Sequence, residues 1–320
     1  MPARRPVDRL LASNGLQEAN IIILDGGLGR ELQAMGAPFR QPEWSALALM
    51  EGPEFVRAAH DAFLQAGADI VTTNSYAVVP FHIGANVFAE RAPELLRLSG
   101  ELARAAADAA ARDVQVAASV PPMFGSYQPD KFDPDMAVGM MQLFRDQLID
   151  YADLFLAETL GSVVEAELFL TVFGQTKLPL WLSVTLEDVG VVAGQPRLRS
   201  GEPLTDILAV CDTMRPAALL FNCSQPEVME DAIRLAHAHF SAANPVLIGV
   251  YANAFPLADE KYQGANAALH ELRTDITAEA YADYAESWAA AGAGIIGGCC
   301  GISPVHIECL KQRFTLASTG

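Results

Sequence analysis

An alternation constrains this chain more than any other feature. Short apolar runs rich in β-branched residues are followed, again and again, by Ala- and Leu-rich stretches of helical periodicity. Eight such runs are present: IIILD (21–25), IVTTNS (70–75), VQVAASV (114–120), LFLAET (154–159), LPLWLSVT (178–185), AALLFN (217–222), PVLIGVY (245–251) and GIIGGC (294–299). Their starts lie 49, 44, 40, 24, 39, 28 and 49 residues apart, so each gap has room for a helix. The clearest helical stretches are 53–66, 86–112, 135–150, 203–212, 225–240, 277–291 and 303–313. Strands that are apolar almost throughout belong to a parallel sheet covered on both faces. A closed barrel and an open doubly wound sheet both satisfy that requirement. Against the open sheet, no GxGxxG phosphate loop follows the first run, and eight units close naturally. The expected fold is an α/β (β/α)8 TIM barrel, a single domain over 1–320 with its core at about 20–312 and an N-terminal extension at 1–19.

Composition excludes several functions. With 320 residues, 51% hydrophobic and only 19% charged, the chain can build a large core. Its net charge of −18 argues against phosphate-neutralising contacts with DNA or RNA, and against an anionic membrane surface. The opening MPARRPVDRLLASNG has positive charge but no apolar segment behind it, so no signal peptide is expected. No uninterrupted apolar stretch is long enough to span a bilayer. Five cysteines, an odd number in a chain this large, do not form a disulfide scaffold. A cytoplasmic protein with reduced thiols, monomeric or homodimeric, is the expectation.

Chemistry in such barrels sits at the C-terminal ends of the strands. The positions just after the runs hold Asp25-Gly26-Gly27, Asn74-Ser75-Tyr76, Pro121-Pro122, Glu158-Thr159, Glu187-Asp188, Asn222-Cys223, Tyr251-Ala252-Asn253 and Cys299-Cys300. Cys223 ends the sixth run and Cys299-Cys300 the eighth, with one strand between them in a closed barrel. Three thiolates with one open position make a reasonable catalytic zinc site. A strained vicinal disulfide between Cys299 and Cys300 is the alternative, and it leaves Cys223 unexplained. Cys211 and Cys309 lie in helical patterns and are expected in the core.

The closing GIIGGCCGISPVHI (294–307) resembles the final motif of the zinc-dependent homocysteine S-methyltransferase family. LLFNCS (219–224) is similar to the other half of that family's zinc site. ILDGGLGRELQAMG (23–36), the segment 42–76, AETLGSVVEA (157–166) and SGEPL (200–204) are also family-like, so the resemblance runs from about residue 20 to 312. It implies zinc on Cys223, Cys299 and Cys300, taking homocysteine's sulfur as a further ligand, and attack of that thiolate on an activated methyl group. The small-molecule substrates would be homocysteine and a methyl donor.

The resemblance extends to other residues. Glu158 resembles the glutamate that holds homocysteine's ammonium; its alternative is a carboxylate that pairs with a barrel-top Arg or caps the next helix. Asp25 matches the first-strand aspartate near the substrate pocket; its alternative is to accept hydrogen bonds from the Gly26 and Gly27 amides. Gly26 and Gly27 permit close backbone approach at the pocket. Thr73, Asn74 and Tyr76 are expected along the substrate pocket, with Asn222 behind the zinc cysteine orienting the site. Trp44 and Tyr76 could form part of a cation–π wall for a positively charged donor, although ordinary packing is the better account of Trp44. Tyr251 and Asn253 resemble a Tyr-x-Asn after the seventh strand, with no role attached.

The family's donors are sulfonium compounds, betaine or methylfolate. Folate-using relatives carry further domains after the barrel and betaine-using ones a C-terminal arm, so a stand-alone enzyme using S-methylmethionine or S-adenosylmethionine is the expectation. A betaine-type enzyme, or one methylating another thiol or a selenol, is the alternative on the same barrel. SVPPMFGSYQ (119–128) departs from the family's usual Ser-Val-Gly-Pro, and loops 188–202 and 252–276 are expected over the active face. A zinc-dependent barrel hydrolase and a non-catalytic binding protein are the rivals from other classes. The hydrolase would ordinarily recruit His and Asp ligands.

Overall fold

The computed structural model describes residues 21–240, 245–257 and 271–317. The proposed extension at 1–19 and residues 258–270 of the seventh loop lie outside the described residues. The first half of the barrel runs β1 (Ile22–Ile23), α1 (Leu28–Ala34), α2 (Ser45–Glu51), α3 (Pro53–Gln65), β2 (Ile70–Thr72), α4 (Pro80–Ile83), α5 (Ala85–Ala109), β3 (Gln115–Val120), α6 (Pro134–Leu148), β4 (Leu154–Leu160) and α7 (Val163–Phe173). The second runs β5 (Leu180–Val184), α8 (Leu204–Met214), β6 (Ala218–Asn222), α9 (Met229–His239), β7 (Leu247–Tyr251), α10 (Ala278–Ala291), β8 (Ile295–Ile296) and α11 (Pro304–Ala317).

All ladder pairings are parallel, in the order β1-β8-β7-β6-β5-β4-β3-β2. A Leu24–Ile70 bridge joins β1 to β2 and brings the ring to near closure. The fold is therefore the expected (β/α)8 barrel. β1 and β8 are shorter than the runs that announced them, because their C-terminal halves leave the ladder to form loops over the barrel mouth.

Side chains alternate across each strand. Phe155, Ala157, Leu182, Leu219 and Phe221 point outward and pack in the large core under the helices. Leu154, Leu156, Trp181, Ala218, Leu220 and Ile295 point inward and fill the barrel, as in a packed core rather than a pore. Local signals fix the helix starts. The Asp133 carboxylate accepts from the amides of Asp135 and Met136, with Pro134 at the first helical position of α6. Thr277 caps α10 through the Ala280 amide. α7 shows no helical periodicity in the sequence, because VVEAELFLTVF is apolar on most sides and six of its residues are buried. Cys211 is buried as expected, whereas Cys309 is only half-buried, its thiol 3.6 Å from Glu279 Oε1 between α11 and α10.

Candidate metal and substrate site at the barrel mouth

The inward register explains where polar chemistry begins. On β4 the inward residues are Leu154, Leu156 and then Glu158; on β6 they are Ala218, Leu220 and then Asn222. Thr72, Ser119, Ser183 and Tyr251 occupy the same inward parity at the ends of β2, β3, β5 and β7. One register step thus converts an apolar barrel interior into a polar ceiling. The β4–β5 register shifts between Ala157 and Leu160, the stretch that contains Glu158.

Above that layer the loops after β6, β7 and β8 are tied together. The Cys223 amide donates to Tyr251 O (3.2 Å), the Cys299 amide to Ala252 O (2.9 Å) and the Ala254 amide to Cys300 O (2.9 Å). The sulfurs of Cys223, Cys299 and Cys300 consequently lie within 4.8 Å of one another. Cys223 and Cys299 are paired as a disulfide with Cα atoms 5.6 Å apart, so the pairing is across strands and not the vicinal one considered from sequence. Burial pushes the Cys300 thiol up to about 11. A divalent cation reverses that penalty by coordinating the thiolate. Three sulfurs, the softest ligands a protein offers, fit zinc once the disulfide is reduced.

Cys223 holds φ 54° and Thr159 φ 60°, conformations costly for residues with a Cβ. Asn222 secures Thr159. Its Oδ1 accepts from the Thr159 amide (3.0 Å) and the Ser183 hydroxyl (2.8 Å), and its Nδ2 donates to Thr159 Oγ1 (2.9 Å). Asn222 does not itself line the cavity; it supports the residue that does. The β1 loop packs directly on the β8 loop. Gly27 N donates to Ile302 O (2.8 Å), and a Cβ at Gly27 would fall 2.5 Å from Cys299 O. Gly26 and Gly27 therefore permit the close approach that brings Asp25 beside the cysteines.

Asp25 and Glu158 face one cavity at the barrel mouth. Asp25 Oδ2 accepts from the Thr72 amide (2.7 Å) and hydroxyl (3.0 Å), not from the glycine amides of the alternative reading. Burial lifts its carboxyl to about 8, against the hydrogen bonds from Thr72, with the nearby Glu158 charge adding to the rise. Glu158 is also raised by burial and accepts a hydrogen bond from the Ser119 hydroxyl. It neither meets an Arg nor caps α7. Glu165 serves that helix start, accepting from Gly161 N (2.8 Å) and Ser162 Oγ (2.9 Å). The Tyr251 hydroxyl is buried beside Glu158 and Ser183 without a well-formed hydrogen bond.

Thr73, Asn74 and Tyr76 all line the cavity, but the first two are occupied by scaffold bonds. Thr73 Oγ1 accepts from Ser119 N (3.0 Å), and Asn74 Nδ2 donates to Ser45 O (3.0 Å). The Tyr76 and Ser126 hydroxyls lie 2.8 Å apart. Trp44 lines the cavity and also packs edge-on against Phe39. Asn253 turns its Oδ1 to the Phe255 amide at 3.2 Å. Sequence reasoning missed Thr72, Ser119, His82, Tyr127, Arg30 and Phe255. Parity from Ile70 and Ala117 marks Thr72 and Ser119, whereas His82 comes from α4, whose place over the mouth no local pattern betrays. Tyr127 lies in the divergent third loop with φ 62°, under the Arg199 guanidinium 5.0 Å from its ring centre. Arg199 is held by Asp188 at 2.8 Å, so the loop 188–202 does reach the active face.

Residues 22–314 match the family model described as homocysteine S-methyltransferase. The "Homocysteine S-methyltransferase" of Escherichia coli (strain K12) is 32% identical over 318 residues, spanning 93% of this chain and 96% of that protein. A "Selenocysteine Se-methyltransferase" of Brassica oleracea var. italica is 28% identical over 322 residues, spanning 91% of this chain and 88% of that one. Among solved structures, the metallated form of the homocysteine methyltransferase MmuM from Escherichia coli superposes with TM-score 0.74 at 30% identity, covering 96% of this chain and 99% of that chain. Its oxidized form gives TM-score 0.75 at 29% identity, covering 97% and 100%. With the same barrel, the same span and a sulfur cluster at the mouth, the chain belongs to the homocysteine S-methyltransferase family, enzymes that methylate homocysteine.

Proposed function

We propose that this enzyme moves a methyl group from a sulfonium donor, S-methylmethionine or S-adenosylmethionine, to the sulfur of L-homocysteine, giving methionine. Zinc would be held by Cys223, Cys299 and Cys300 within a single domain. The observation that carries the reading is the convergence of those three sulfurs, within 4.8 Å, in a cavity that also contains Asp25 and Glu158. The disulfide and the metal exclude each other, so the active protein is the reduced one. Bound there, zinc supplies the lowered thiol pKa that lets the acceptor react as a thiolate at neutral pH.

The chain's own groups do the rest. Glu158 and Asp25 receive the homocysteine ammonium; burial has raised both carboxyls, and a cation placed between them restores their charge. Ser119 and Thr72 hold those carboxyls in place. The rings of Trp44, Tyr76, Tyr127 and Phe255 line the mouth and favour a cationic donor while excluding water. The transfer forms one S–CH3 bond as the sulfonium's C–S bond breaks, its electron pair returning to the donor sulfur. With zinc held by the three cysteines, the homocysteine thiol would give up its proton to solvent on binding, so no protein base is needed in the transfer itself. The protein's contribution is alignment of acceptor, methyl carbon and leaving sulfur in one line.

The similarity to a selenocysteine Se-methyltransferase makes a selenol the second acceptor to examine. The test is methionine formation by reduced, zinc-supplemented protein given homocysteine with S-methylmethionine, S-adenosylmethionine or betaine in turn. The expected outcome is turnover with at least one sulfonium and none with betaine. Turnover with betaine alone would overturn the donor assignment.

A further inference from the structure

A small molecule with an amino-acid head presents two charges to this cavity. Asp25 and Glu158 answer the positive one. A carboxylate brought into a space lined by carboxyls, sulfurs and aromatic rings needs a cation there, or it is repelled and left without its water. Among the described residues lining the cavity, Arg30 is the only Lys or Arg. His82, also in the lining, is held neutral by burial, which pushes its ring down to about 4. Arg30 sits on α1, directly after the strand that delivers Asp25, so one β–α unit offers both signs. Its guanidinium lies 5.6 Å from the ring centre of Phe255, which lines the same cavity, and this fixes the head group over the mouth. One Nη donates to Gln33 Oε1 at 2.8 Å in an exposed pair that a ligand's carboxylate can replace.

We propose that Arg30 reads a substrate carboxylate and makes the site select amino-acid-like ligands over plain thiols and plain sulfonium ions. The inference rests on the methyl-transfer reading for its ligands. The planar guanidinium stays charged at every working pH and matches a carboxylate with two parallel hydrogen bonds. The carboxylate belongs to the acceptor, the donor or each in turn, and binding measurements separate these sources.

The experiment is calorimetric binding to reduced, zinc-loaded protein, wild type and Arg30→Met, with four ligands. Two are L-homocysteine and S-methyl-L-methionine. The others are their decarboxylated counterparts, 3-aminopropanethiol and (3-aminopropyl)dimethylsulfonium. Arg30→Met is expected to weaken one or both carboxylate ligands about 10- to 100-fold, the usual range for a charged hydrogen bond, and to leave the decarboxylated pair unchanged. A loss for homocysteine assigns the acceptor's carboxylate, and a loss for S-methylmethionine the donor's. Arg30→Lys should recover part of the loss, and an unchanged zinc content and melting curve report an intact fold. Equal weakening of all four ligands, no weakening of any, or wild-type protein that binds none would overturn the role of Arg30. Wild-type protein that prefers the carboxylate ligands but transfers no methyl group would remove the methyl-transfer reading and leave Arg30 as the carboxylate's partner.

Discussion

Two layers of the same barrel differ by one step along each strand. The lower inward layer, with Leu154, Leu156, Trp181, Ala218 and Leu220, is fully buried and apolar. The layer above, with Thr72, Ser119, Glu158, Ser183, Asn222 and Tyr251, is polar, and its members bond chiefly to one another or to the loop ends. The lower layer gains from area removed from water. The upper one spends part of that gain keeping carboxyls and hydroxyls out of water, where a ligand can use them. Stability and chemistry are thus carried by adjacent positions on shared strands, which is why a barrel can alter its mouth without altering its core.

The sharpest way to break this division is on β4, where Leu156 and Glu158 are neighbours on the inward face. Leu156→Ala removes a fully buried side chain and should cost about 2–5 kcal/mol of stability, read by urea unfolding of the zinc-free reduced protein. The fraction that stays folded should keep its zinc and its kcat. A large fall in kcat at full folding would mean that the layers are not separable. Glu158→Gln comes next. It keeps shape and loses charge, so KM for homocysteine should rise about 10- to 100-fold with a small change in melting temperature. An unchanged KM would take the ammonium away from Glu158.

The last effect is read as a slope. The Asp25 carboxyl titrates at about 8 in the fold against 3.8 ordinarily. A raised acid favours the folded state while protonated. Its contribution is complete below about 3.8 and is lost as the pH rises through about 8. Unfolding free energy of the ligand-free protein should therefore fall more steeply between pH 5 and 8 in wild type than in Asp25→Asn, by at most about 1.4 kcal/mol per pH unit for one proton. Parallel curves for the two proteins would place Asp25 in a wetter environment than the cavity floor.

Much of this arrangement is legible in the chain itself. Apolar runs at regular spacing mark the eight strands, and the rule that barrels work at strand ends singles out Asp25, Glu158 and the cysteines. Period-two parity would have gone further. Counting from Ile70 puts Thr72 inward, whereas Thr73, the expected substrate residue, turns its hydroxyl to the Ser119 amide. What parity cannot supply is the meeting of separate loops. Cys223 and Cys299 stand 76 residues apart, and only the ties among the β6, β7 and β8 loops make them neighbours. Arg30, His82, Tyr127 and Phe255 come from four different β–α connections, and each alone resembles an ordinary surface or packing residue. Backbone cost was equally hidden, because nothing in Glu-Thr or Asn-Cys announces the left-handed φ at Thr159 and Cys223.

The proposed chemistry depends first on the three mouth cysteines holding one zinc ion. The most direct measurement is zinc per chain in protein reduced and reconstituted anaerobically, for wild type, Cys300→Ser and Cys309→Ser. One zinc is expected in wild type, the same in Cys309→Ser, whose thiol lies between α10 and α11, and almost none in Cys300→Ser. Zinc retained in Cys300→Ser, or no zinc in reduced wild type, would contradict it.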